Sequence, residues 1–493
     1  MTLFFSYLII TIYIISIFLV FVYGIAQLNL LINYLKSKNN TICIDKFDFS
    51  NPDEIPYVTI QLPVFNEKYV IERLLENIVK LEYPTQKIEF QVLDDSTDDS
   101  ITTTSDLVNK FKNQGIDIKH ITRKIRTGFK SGALKEGLFI AKGEFIAIFD
   151  ADFLPQKDWL KLTIPSFKNP NIGVVQTRWG HLNRDFSILT KIQAFALDAH
   201  FTLEQTGRNS QRHCINFNGT AGVWRKSCII DAGNWEADTL TEDLDLSYRA
   251  QLRKWQFLYL EDVVAPAELP AVLSAARSQQ FRWNKGGAEN FKKLKGRVLS
   301  SKNISAKTKF HGILHLLNSS MFLCVFAIAV TSVPMLYIKN NFVDAKFIFD
   351  IMAFFIVTSI LFFVCYWQTY KSIHGTGLKN FLKYISLFFT FYSIAMGFSF
   401  QNSIAVLEGL WGKKSEFVRT PKFNVETIKN QLKENVYISK KISKYTITEG
   451  LLSLYFIFGL YVGYKFNDFG LYPFHIMLVS GFGYVFYQSL KNN

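Results

Sequence analysis

The chain is 493 residues long, carries a formal charge of +14, and is 49% hydrophobic with 47 Phe and 22 Tyr. That length is sufficient for a sizeable catalytic core and further elements beside it. A basic chain suits nucleic acid, anionic lipid or an anionic substrate. The Lys and Arg residues are scattered and become denser near long apolar runs. This distribution argues against nucleic acid as a partner and favours a lipid membrane together with an anionic ligand.

The cysteines indicate the compartment of the main domain. They are odd in number and widely separated, at Cys43, Cys214, Cys228, Cys324 and Cys365. They form neither a zinc-binding spacing nor a disulfide framework, so a reducing, cytosolic environment is expected.

The N-terminal segment is predicted to be a membrane anchor over residues 1–35. It contains no charged side chain, and residues 3–26 are long enough to cross a hydrocarbon core of roughly 30 Å. A basic start and a small-residue cleavage site are both missing, which favours an anchor over a signal peptide. Lys36 and Lys38 follow, and they place the next block in the cytosol.

Two transmembrane hairpins are predicted in the C-terminal half, because long runs there contain few or no charged side chains. The first covers residues 310–372 with spans 313–338 and 351–370, and the second covers residues 446–493 with spans 450–464 and 469–490.

A third kind of apolar segment lies between the hairpins, in the region 381–445. Residues 384–407 are uncharged and long enough to cross, but basic residues crowd both 371–383 and 413–444. A crossing would put these basic segments on opposite sides, against the positive-inside rule, so an interfacial helix is predicted. Small or polar residues also recur at helical spacing along it, at Ser386, Thr390, Ser393, Gly397 and Gln401.

The block at residues 55–300 alternates short strands with helices. Strands are predicted at 58–63, 88–93 and 145–149, and helices at 67–81 and 131–141. This order implies an α/β domain with a mostly parallel sheet and helices on both faces. Ligands in such sheets lie beyond the carboxyl ends of the strands. Neither G-x-G-x-x-G nor a P-loop motif is present, so dinucleotide and P-loop chemistry lack their phosphate cradle.

Asp150 and Asp152 follow the third predicted strand. Two carboxylates at i and i+2 can hold Mg²⁺ or Mn²⁺ against a diphosphate. The alternative is an Asx turn that only ends the strand. The pair occurs together with the other polar motifs described below, and this combination favours the metal site.

Asp243 follows Thr241 and Glu242 at the start of a helical pattern. A carboxylate there suits a general base that accepts a proton from an acceptor hydroxyl. The same three residues are also a good helix-capping sequence. Both interpretations are compatible if Thr241 caps the helix while Asp243 points into the cleft.

Gln279, Arg282 and Trp283 share one helical pattern. Arg can bind phosphate oxygens in a fork, and Trp offers a flat face to a sugar ring. The alternative is a basic amphipathic helix that rests on lipid with Trp283 as its anchor. Lys130 has a similar choice between phosphate binding and surface charge.

The motifs together carry a family resemblance. The chain resembles the membrane-integrated family 2 glycosyltransferases of the cellulose synthase superfamily, in particular the cellulose-synthase-like mannan and glucomannan synthases and their bacterial relatives. The carrying segments are residues 61–67 (QLPVFNE), 93–98 (LDDSTD), 128–134 (GFKSGAL), 149–153 (FDADF), 176–179 (QTRW), 217–222 (FNGTAG), 241–243 (TED) and 279–283 (QQFRW).

The resemblance implies a GT-A-type, Rossmann-like catalytic domain inserted between transmembrane helices. It makes Asp243 the base beside Glu242, and assigns the metal to Asp152 with Asp150 nearby. The substrate-binding residues that it implies are Glu67, Asp94 or Asp95, Lys130, Asn218, Gly219, Thr220, Gln279, Arg282, Trp283, Thr420 and Lys422. The last two belong to residues 417–422, which are similar to the F-x-V-T-x-K gating loop of cellulose synthases except that Arg419 replaces the Val.

The expected function is processive, inverting synthesis of a β-linked polysaccharide, a β-1,4 mannan, glucomannan or glucan, with export through the enzyme's own helices. The expected partners are a nucleotide sugar, GDP-mannose or UDP-glucose, and the growing polysaccharide, at the plasma or inner membrane. One alternative is a non-processive transferase that makes a glycolipid. Another is a transporter or scaffold that has lost catalysis, but it predicts loss of Asp150, Asp152 or Asp243, and all three are present.

Overall fold

The computed structural model describes residues 3–38, 47–49, 51, 54–341, 356–415, 417–424 and 445–491. Cys43, the start of the predicted span 351–370 and most of the basic segment 413–444 lie outside the described residues. The four described cysteines are all buried and free.

The N-terminal helix α1 (Leu3–Ser37) precedes the α/β domain. The strands of this domain are β1 (Val58–Val64), β2 (Ile88–Asp94), β3 (Ile118–Thr122), β4 (Phe145–Ile148), β5 (Ile172–His181), β6 (Gly222–Arg225) and β7 (Gln256–Ala267). Its helices are α2 (Ile71–Ile78), α3 (Ser100–Asn113), α4 (Phe129–Ile140), α5 (Trp159–Thr163), α6 (Ile188–Asp198), α7 (Thr206–Asn209), α8 (Lys226–Asp231) and α9 (Glu242–Leu252), with a π-helical turn at Ala199–Gln205.

The C-terminal half consists of helices. They are α10 (Leu273–Ser300), α11 (Ala306–Leu316), α12 (Met321–Asn341), α13 (Ile356–His374), α14 (Leu378–Trp411), α15 (Tyr445–Lys465) and α16 (Tyr472–Lys491).

The strands form one sheet in the order β3-β2-β1-β4-β6-β5-β7. All of its pairings are parallel except those of β6 with β4 and β5. The prediction of a mostly parallel α/β sheet is therefore confirmed. Buried aliphatic side chains cover both faces, because Val58, Ile60 and Leu62 join one cluster while Ile146 and Ile148 join the cluster on the other face.

Strand register brings the acidic motifs to one edge. Val64 pairs with Asp94 across β1 and β2, and Gln61 pairs with Ile148 across β1 and β4. The carboxyl ends of these parallel strands therefore meet, and the residues that follow β2 and β4 lie beside one another.

Four described helices are long and apolar enough to cross a membrane: Phe4–Ser37, Asn318–Asn341, Leu378–Trp411 and Tyr445–Lys465. They lie on both sides of the α/β domain in the sequence. The predicted topology, including the crossing by residues 469–490 and the interfacial position of residues 384–407, stays a prediction, since length and composition do not fix the side of a helix.

The small-residue stripe of α14 contacts other helices. A Cβ at Gly397 would lie 2.5 Å from the backbone oxygen of Gly481 on α16, and a Cβ at Gly481 would lie 1.8 Å from the oxygen of Ser393. Gln401 donates to the backbone oxygen of Arg277 on α10 at 3.4 Å. The stripe therefore serves close helix packing, which requires small side chains.

Candidate active site

A cavity of about 160 Å³ opens at the carboxyl edge of the sheet, where the α/β domain meets α10 and the segment after α14. It gathers most of the predicted site residues: Glu67, Asp95, Lys130, Asp150, Asp152, Asn218, Gly219, Glu242, Asp243, Gln279, Arg282, Trp283, Thr420 and Lys422. Asp94 and Thr220 are not among the residues that line it.

Each aspartate of the Asp150/Asp152 pair faces a lysine. Lys130 Nζ lies 2.5 Å from Asp150 Oδ1 and donates to the backbone oxygen of Gly219 at 2.9 Å. Lys422 Nζ lies 2.7 Å from Asp152 Oδ2. Burial alone lowers the pKa of Lys130, but Asp150 and Glu242 raise it by more. Each ammonium group therefore neutralises one carboxylate at the edge of the cavity.

The two aspartates after β2 have different surroundings. Asp94 receives the backbone N–H of Ser96 at 2.9 Å and lies 2.9 Å from His120 Nε2, away from the cavity. Asp95 lines the cavity and forms an ion pair with the guanidinium of Arg123, in which Arg123 Nε donates to Asp95 Oδ1 at 2.8 Å. Of the two aspartates, only Asp95 is placed to contact a ligand in the cavity.

Gly219 brings the loop of residues 216–221 close to Asp243. Its φ is +79°, and a Cβ at this position would lie 2.9 Å from Asp243 Oδ2 and 3.5 Å from Lys130 Nζ. The next residue, Thr220, accepts the backbone N–H of Asp150 on its hydroxyl at 2.9 Å. Thr220 thus ties this loop to the Asp150 turn rather than facing the cavity. We call residues 216–221 the acceptor loop.

Asp243 lies in the first turn of α9 and lines the cavity. Burial and the neighbouring Glu242 raise the pKa of Asp243 to about 7, while Lys130 lowers it by less. Burial also raises the pKa of Glu242. A carboxyl with a pKa near neutrality suits proton transfer at physiological pH.

The capping interpretation of Thr241 is wrong. Thr241 stands at the N-cap of α9, but its side chain accepts no hydrogen bond from the helix. Its hydroxyl instead receives Asn290 Nδ2 of α10 at 2.8 Å. Because Asn290 holds Thr241, the 241–243 motif connects α9 to α10 instead of closing its own first turn.

The segment 417–422 lies inside the cavity. Arg282 of α10 stands over the ring of Phe417 at 4.7 Å, and Phe417 stacks on Phe129 at 5.7 Å. Arg419 pairs with Glu67 at 3.0 Å, and Thr420 is buried. Burial raises the pKa of Glu67 to about 7, although Arg419 lowers it by less. Together with the Lys422–Asp152 pair, the segment therefore contacts four separate motifs of the α/β domain and α10.

Sequence reasoning missed several site residues. Arg123 and Arg126 bracket Asp95, and Arg126 lies 3.4 Å from the centre of the Phe65 ring. Their spacing in the sequence carries no recognisable motif. Arg419 was noticed only as a departure from the gating-loop pattern, and its pairing with Glu67 has no signal in the sequence.

A second cavity, of about 400 Å³, adjoins the first on the side of the membrane helices. Its lining comes from α1, α6, the π-helical turn, α10, α12, α13 and α14, and it is largely aromatic and aliphatic. We call it the helix cavity. Trp283 and Leu197 line both cavities, so Trp283 lies where the two adjoin.

A divalent cation fits the Asp150/Asp152 site. Asp152 is 1% exposed, and its Oδ1 has no hydrogen-bond partner among the described residues. Hard cations prefer such carboxylate oxygens. A second acidic group, Glu236, Asp238 and Asp245, does not line the cavity, and Lys293 pairs with all three of its carboxylates.

The α/β sheet with acidic motifs at its carboxyl edge is a GT-A-type domain. The solved mannosyltransferase PcManGT of Pyrobaculum calidifontis, in complex with GDP-Man and Mn²⁺, shares this fold with a TM-score of 0.52 and 20% identity, over 80% of this chain and 100% of its own. The profile of the Glycosyltransferase like family 2 matches residues 56–286.

Curated relatives extend the match. A probable glucomannan 4-beta-mannosyltransferase 1 of Arabidopsis thaliana is 32% identical over 455 residues, 88% of this chain and 78% of its own. A probable glucomannan 4-beta-mannosyltransferase 4 of Oryza sativa is 44% identical over 261 residues, 52% of this chain and 48% of its own. For several such relatives the match spans only about half of their length. The chain belongs to glycosyltransferase family 2, among the cellulose-synthase-like proteins.

Proposed function

We propose that the chain is a processive, inverting hexosyltransferase that extends a β-1,4-linked mannan or glucomannan from GDP-mannose and passes the product into the membrane. The observation that carries this proposal is the position of Trp283. Its indole borders the cavity that holds the carboxylates and also the helix cavity. An aromatic face at this point can stack on the sugar of a growing chain as the chain leaves the site.

The chemistry follows from the cavity's own side chains. Asp243 accepts the proton of the acceptor hydroxyl while that oxygen attacks the sugar carbon and the bond to the diphosphate breaks. Lys130, Lys422 and Arg282 lie around the cavity to hold the phosphate oxygens. Asp150 and Asp152 would hold Mg²⁺ or Mn²⁺, which would supply further neutralisation of the leaving group. Asp95 is the residue proposed to contact the nucleotide.

The donor proposal rests on the relatives. Those with substantial identity are named as glucomannan 4-beta-mannosyltransferases, and the structurally similar mannosyltransferase was solved with GDP-Man and Mn²⁺. GDP-mannose is therefore proposed ahead of UDP-glucose. We place the α/β domain in the cytosol, where nucleotide sugars are available, and the enzyme in the plasma or inner membrane as a multi-pass protein.

The test compares donors, metals and products. Purified enzyme in detergent is incubated with radiolabelled GDP-mannose or UDP-glucose, with Mg²⁺, Mn²⁺ or EDTA, and the product is digested with β-mannanase or β-glucanase. We expect incorporation from GDP-mannose, loss of activity in EDTA, and a product sensitive to β-mannanase. Full activity in EDTA contradicts the metal site, and a glucanase-sensitive product from UDP-glucose alone contradicts the donor.

Processivity is tested at Trp283. Trp283→Ala removes the aromatic face, and we expect shorter products with continued release of nucleoside diphosphate. Trp411→Ala is the matched control, because Trp411 is 76% exposed at the end of α14. Products of a single added sugar from the wild-type enzyme, even with a large excess of donor, would instead favour the glycolipid-making alternative.

A further inference from the structure

A continuous set of hydrogen-bonded side chains runs from α1 to the acceptor loop, and we call it the polar relay. Tyr23 donates to Asn318 Oδ1 at 2.7 Å, and Gln27 Nε2 lies 2.7 Å from both Tyr23 Oη and Glu204 Oε1. His200 Nδ1 lies 3.1 Å from Glu204 Oε2. His200 Nε2 lies 3.1 Å from Asn218 Nδ2 on the acceptor loop. Two helices of the membrane half are thereby joined to the loop beside Asp243.

The donor and the acceptor of each hydrogen bond between Asn218 and Glu204 can be assigned. Gln205 Nε2 donates to Asn218 Oδ1 at 2.7 Å, so Asn218 turns its amide nitrogen toward His200. His200 Nε2 must then accept, which leaves its proton on Nδ1 as the donor to Glu204. Arg208 is a third donor to Glu204, after Gln27 and His200, at 3.1 Å. Burial raises the pKa of Glu204, but Arg208 and His200 lower it by more, so the acceptor is a carboxylate.

The local backbone places the relay where an acceptor would pass. His200 and Glu204 lie on the π-helical turn at Ala199–Gln205, a widened turn of a kind that recurs at functional sites. Their side chains, together with Tyr23 and Gln27, line the helix cavity beside Trp283. Asn218 lines the first cavity, which contains Asp150, Asp152 and Asp243. The relay thus follows the passage from one cavity to the other.

We propose that His200 is a positioning residue for the acceptor: held by Glu204, which Gln27 binds in turn, it fixes the amide of Asn218 beside the terminal sugar of the acceptor glycan. The inference rests on the proposed function and deepens it. The inference also links α1 to acceptor binding, because Gln27 of α1 donates a hydrogen bond to Glu204. Loss of the His200–Asn218 contact leaves the Asn218 amide held by Gln205 alone, while the carboxylates and lysines of the donor site stay in place.

The test uses two replacements of one side chain. In His200→Gln the longer amide still reaches Asn218 at the place of Nε2, whereas in His200→Asn the shorter amide keeps the bond to Glu204 at the place of Nδ1 and loses Asn218. The full-length enzyme is assayed with GDP-mannose and soluble β-1,4-manno-oligosaccharides. We expect His200→Asn to raise the acceptor KM about tenfold, equivalent to about 1.4 kcal/mol or one neutral hydrogen bond. The donor KM stays unchanged, and more donor is hydrolysed per sugar transferred.

His200→Gln is expected to stay within about twofold of the wild-type acceptor KM. Gln27→Met cuts the relay at α1, far from the acceptor loop, and is expected to shift the acceptor KM in the same direction by a smaller factor. His374→Gln, at an exposed histidine outside the relay, is the control.

The outcomes separate two failures. A purely structural role for His200 would lower transfer and donor hydrolysis together in proportion to folded protein, and that result overturns the inference. Equal acceptor KM values in His200→Asn and the wild type also overturn it. A wild-type enzyme that transfers no sugar to any acceptor overturns the proposed function as well.

Discussion

The backbone of Gly219 lies close to the carboxylate of Asp243. The acceptor loop passes so close to the Asp243 carboxylate that only a hydrogen fits at the α-carbon of residue 219, and the positive φ there favours the same residue. The carboxylate consequently faces backbone on one side and the cavity on the other.

Asp243→Asn is expected to reduce transfer by about 10²–10⁴-fold, because the amide cannot accept the hydroxyl proton. Donor binding, followed by calorimetry with the nucleoside diphosphate, should change little since Asp150 and Asp152 are untouched. Asp185→Asn is the control, at an aspartate whose side chain is 83% exposed. Near wild-type synthesis by Asp243→Asn would show that another group is the base.

The rate should rise with pH through the pKa of the base. Burial and Glu242 raise the pKa of Asp243 to about 7, so at pH 5.5 the carboxyl is largely protonated and cannot accept a proton. We expect kcat/KM to climb as pH increases across about 7, with an apparent value that belongs to the Glu242/Asp243 pair. The pKa of Glu67 is also raised to about 7, so Glu67 could produce a similar inflection. If Asp243 is the base, the inflection should persist in the Glu67→Gln variant. A flat profile of kcat/KM between pH 5.5 and 8 in the wild-type enzyme contradicts the prediction.

Single residues also mark how far sequence reasoning reaches. Asp95, Asp150 and Asp243 could be placed at one edge because they follow strands or open a helix, and that position is local information. The partners Arg123, Asn290 and Arg419 could not, because they meet their targets only through the tertiary fold. Thr241 was misread as a cap for this reason: its hydroxyl is taken by a residue on another helix.

At the scale of elements, the contact of α14 with α16 depends on small side chains. Gly481→Ala would put a methyl group 1.8 Å from the backbone oxygen of Ser393, so the two helices must separate. We expect a lower thermal midpoint in detergent and reduced activity. Gly483→Ala, two residues along α16, is the matched control because its methyl group would meet Ser453 Oγ at 3.4 Å, an ordinary contact distance. Equal midpoints for the two variants would contradict this account of the packing.

The side on which α14 lies is open to a direct experiment. The basic residues on both flanks predict that residues 371–383 and 408–445 share the cytosol. Single cysteines at exposed Ser372 and Lys414, in a background without the native cysteines, should resist a membrane-impermeant thiol reagent in intact cells and react after permeabilisation. Reaction at only one of the two sites in intact cells would show that α14 crosses.

The same helix shows why pattern alone left its role incomplete. Its polar and small stripe at helical spacing was interpreted as one face of an interfacial helix. In the fold, Ser393, Gly397 and Gln401 of that stripe meet α16 and α10. Periodicity identifies a distinct face of a helix, but a small-residue face suits a neighbouring helix as well as a headgroup layer. Only the identity of the neighbour decides between them.

At the scale of the whole molecule, α10 joins the catalytic domain to the membrane helices. It carries Arg282 and Trp283 on the site and, about one and a half turns earlier, Arg277, which forms a buried ion pair with Glu449 of α15. Glu449→Gln leaves the Arg277 charge buried without its partner, a loss that commonly costs about 3–5 kcal/mol. We expect a lower thermal midpoint and poor recovery of monodisperse protein.

The double variant Arg277→Met with Glu449→Met is the companion test. It removes both charges and keeps apolar volume, so it should recover most of the stability that Glu449→Gln loses. If the double variant is as unstable as Glu449→Gln, the pair stabilises the protein through its geometry and not because Glu449 neutralises the buried charge of Arg277.

The Arg277–Glu449 pair also has a consequence for how the protein is made. Its two members are separated by 172 residues along the chain. At about 5–20 residues per second, a ribosome needs roughly 10–30 seconds to reach Glu449 after it has added Arg277. During this interval the newly made α10 carries a positive charge whose partner does not yet exist. The contact between α10 and α15 is therefore completed late in translation, and a polypeptide that is released after α14 leaves the ribosome with this charge unmatched.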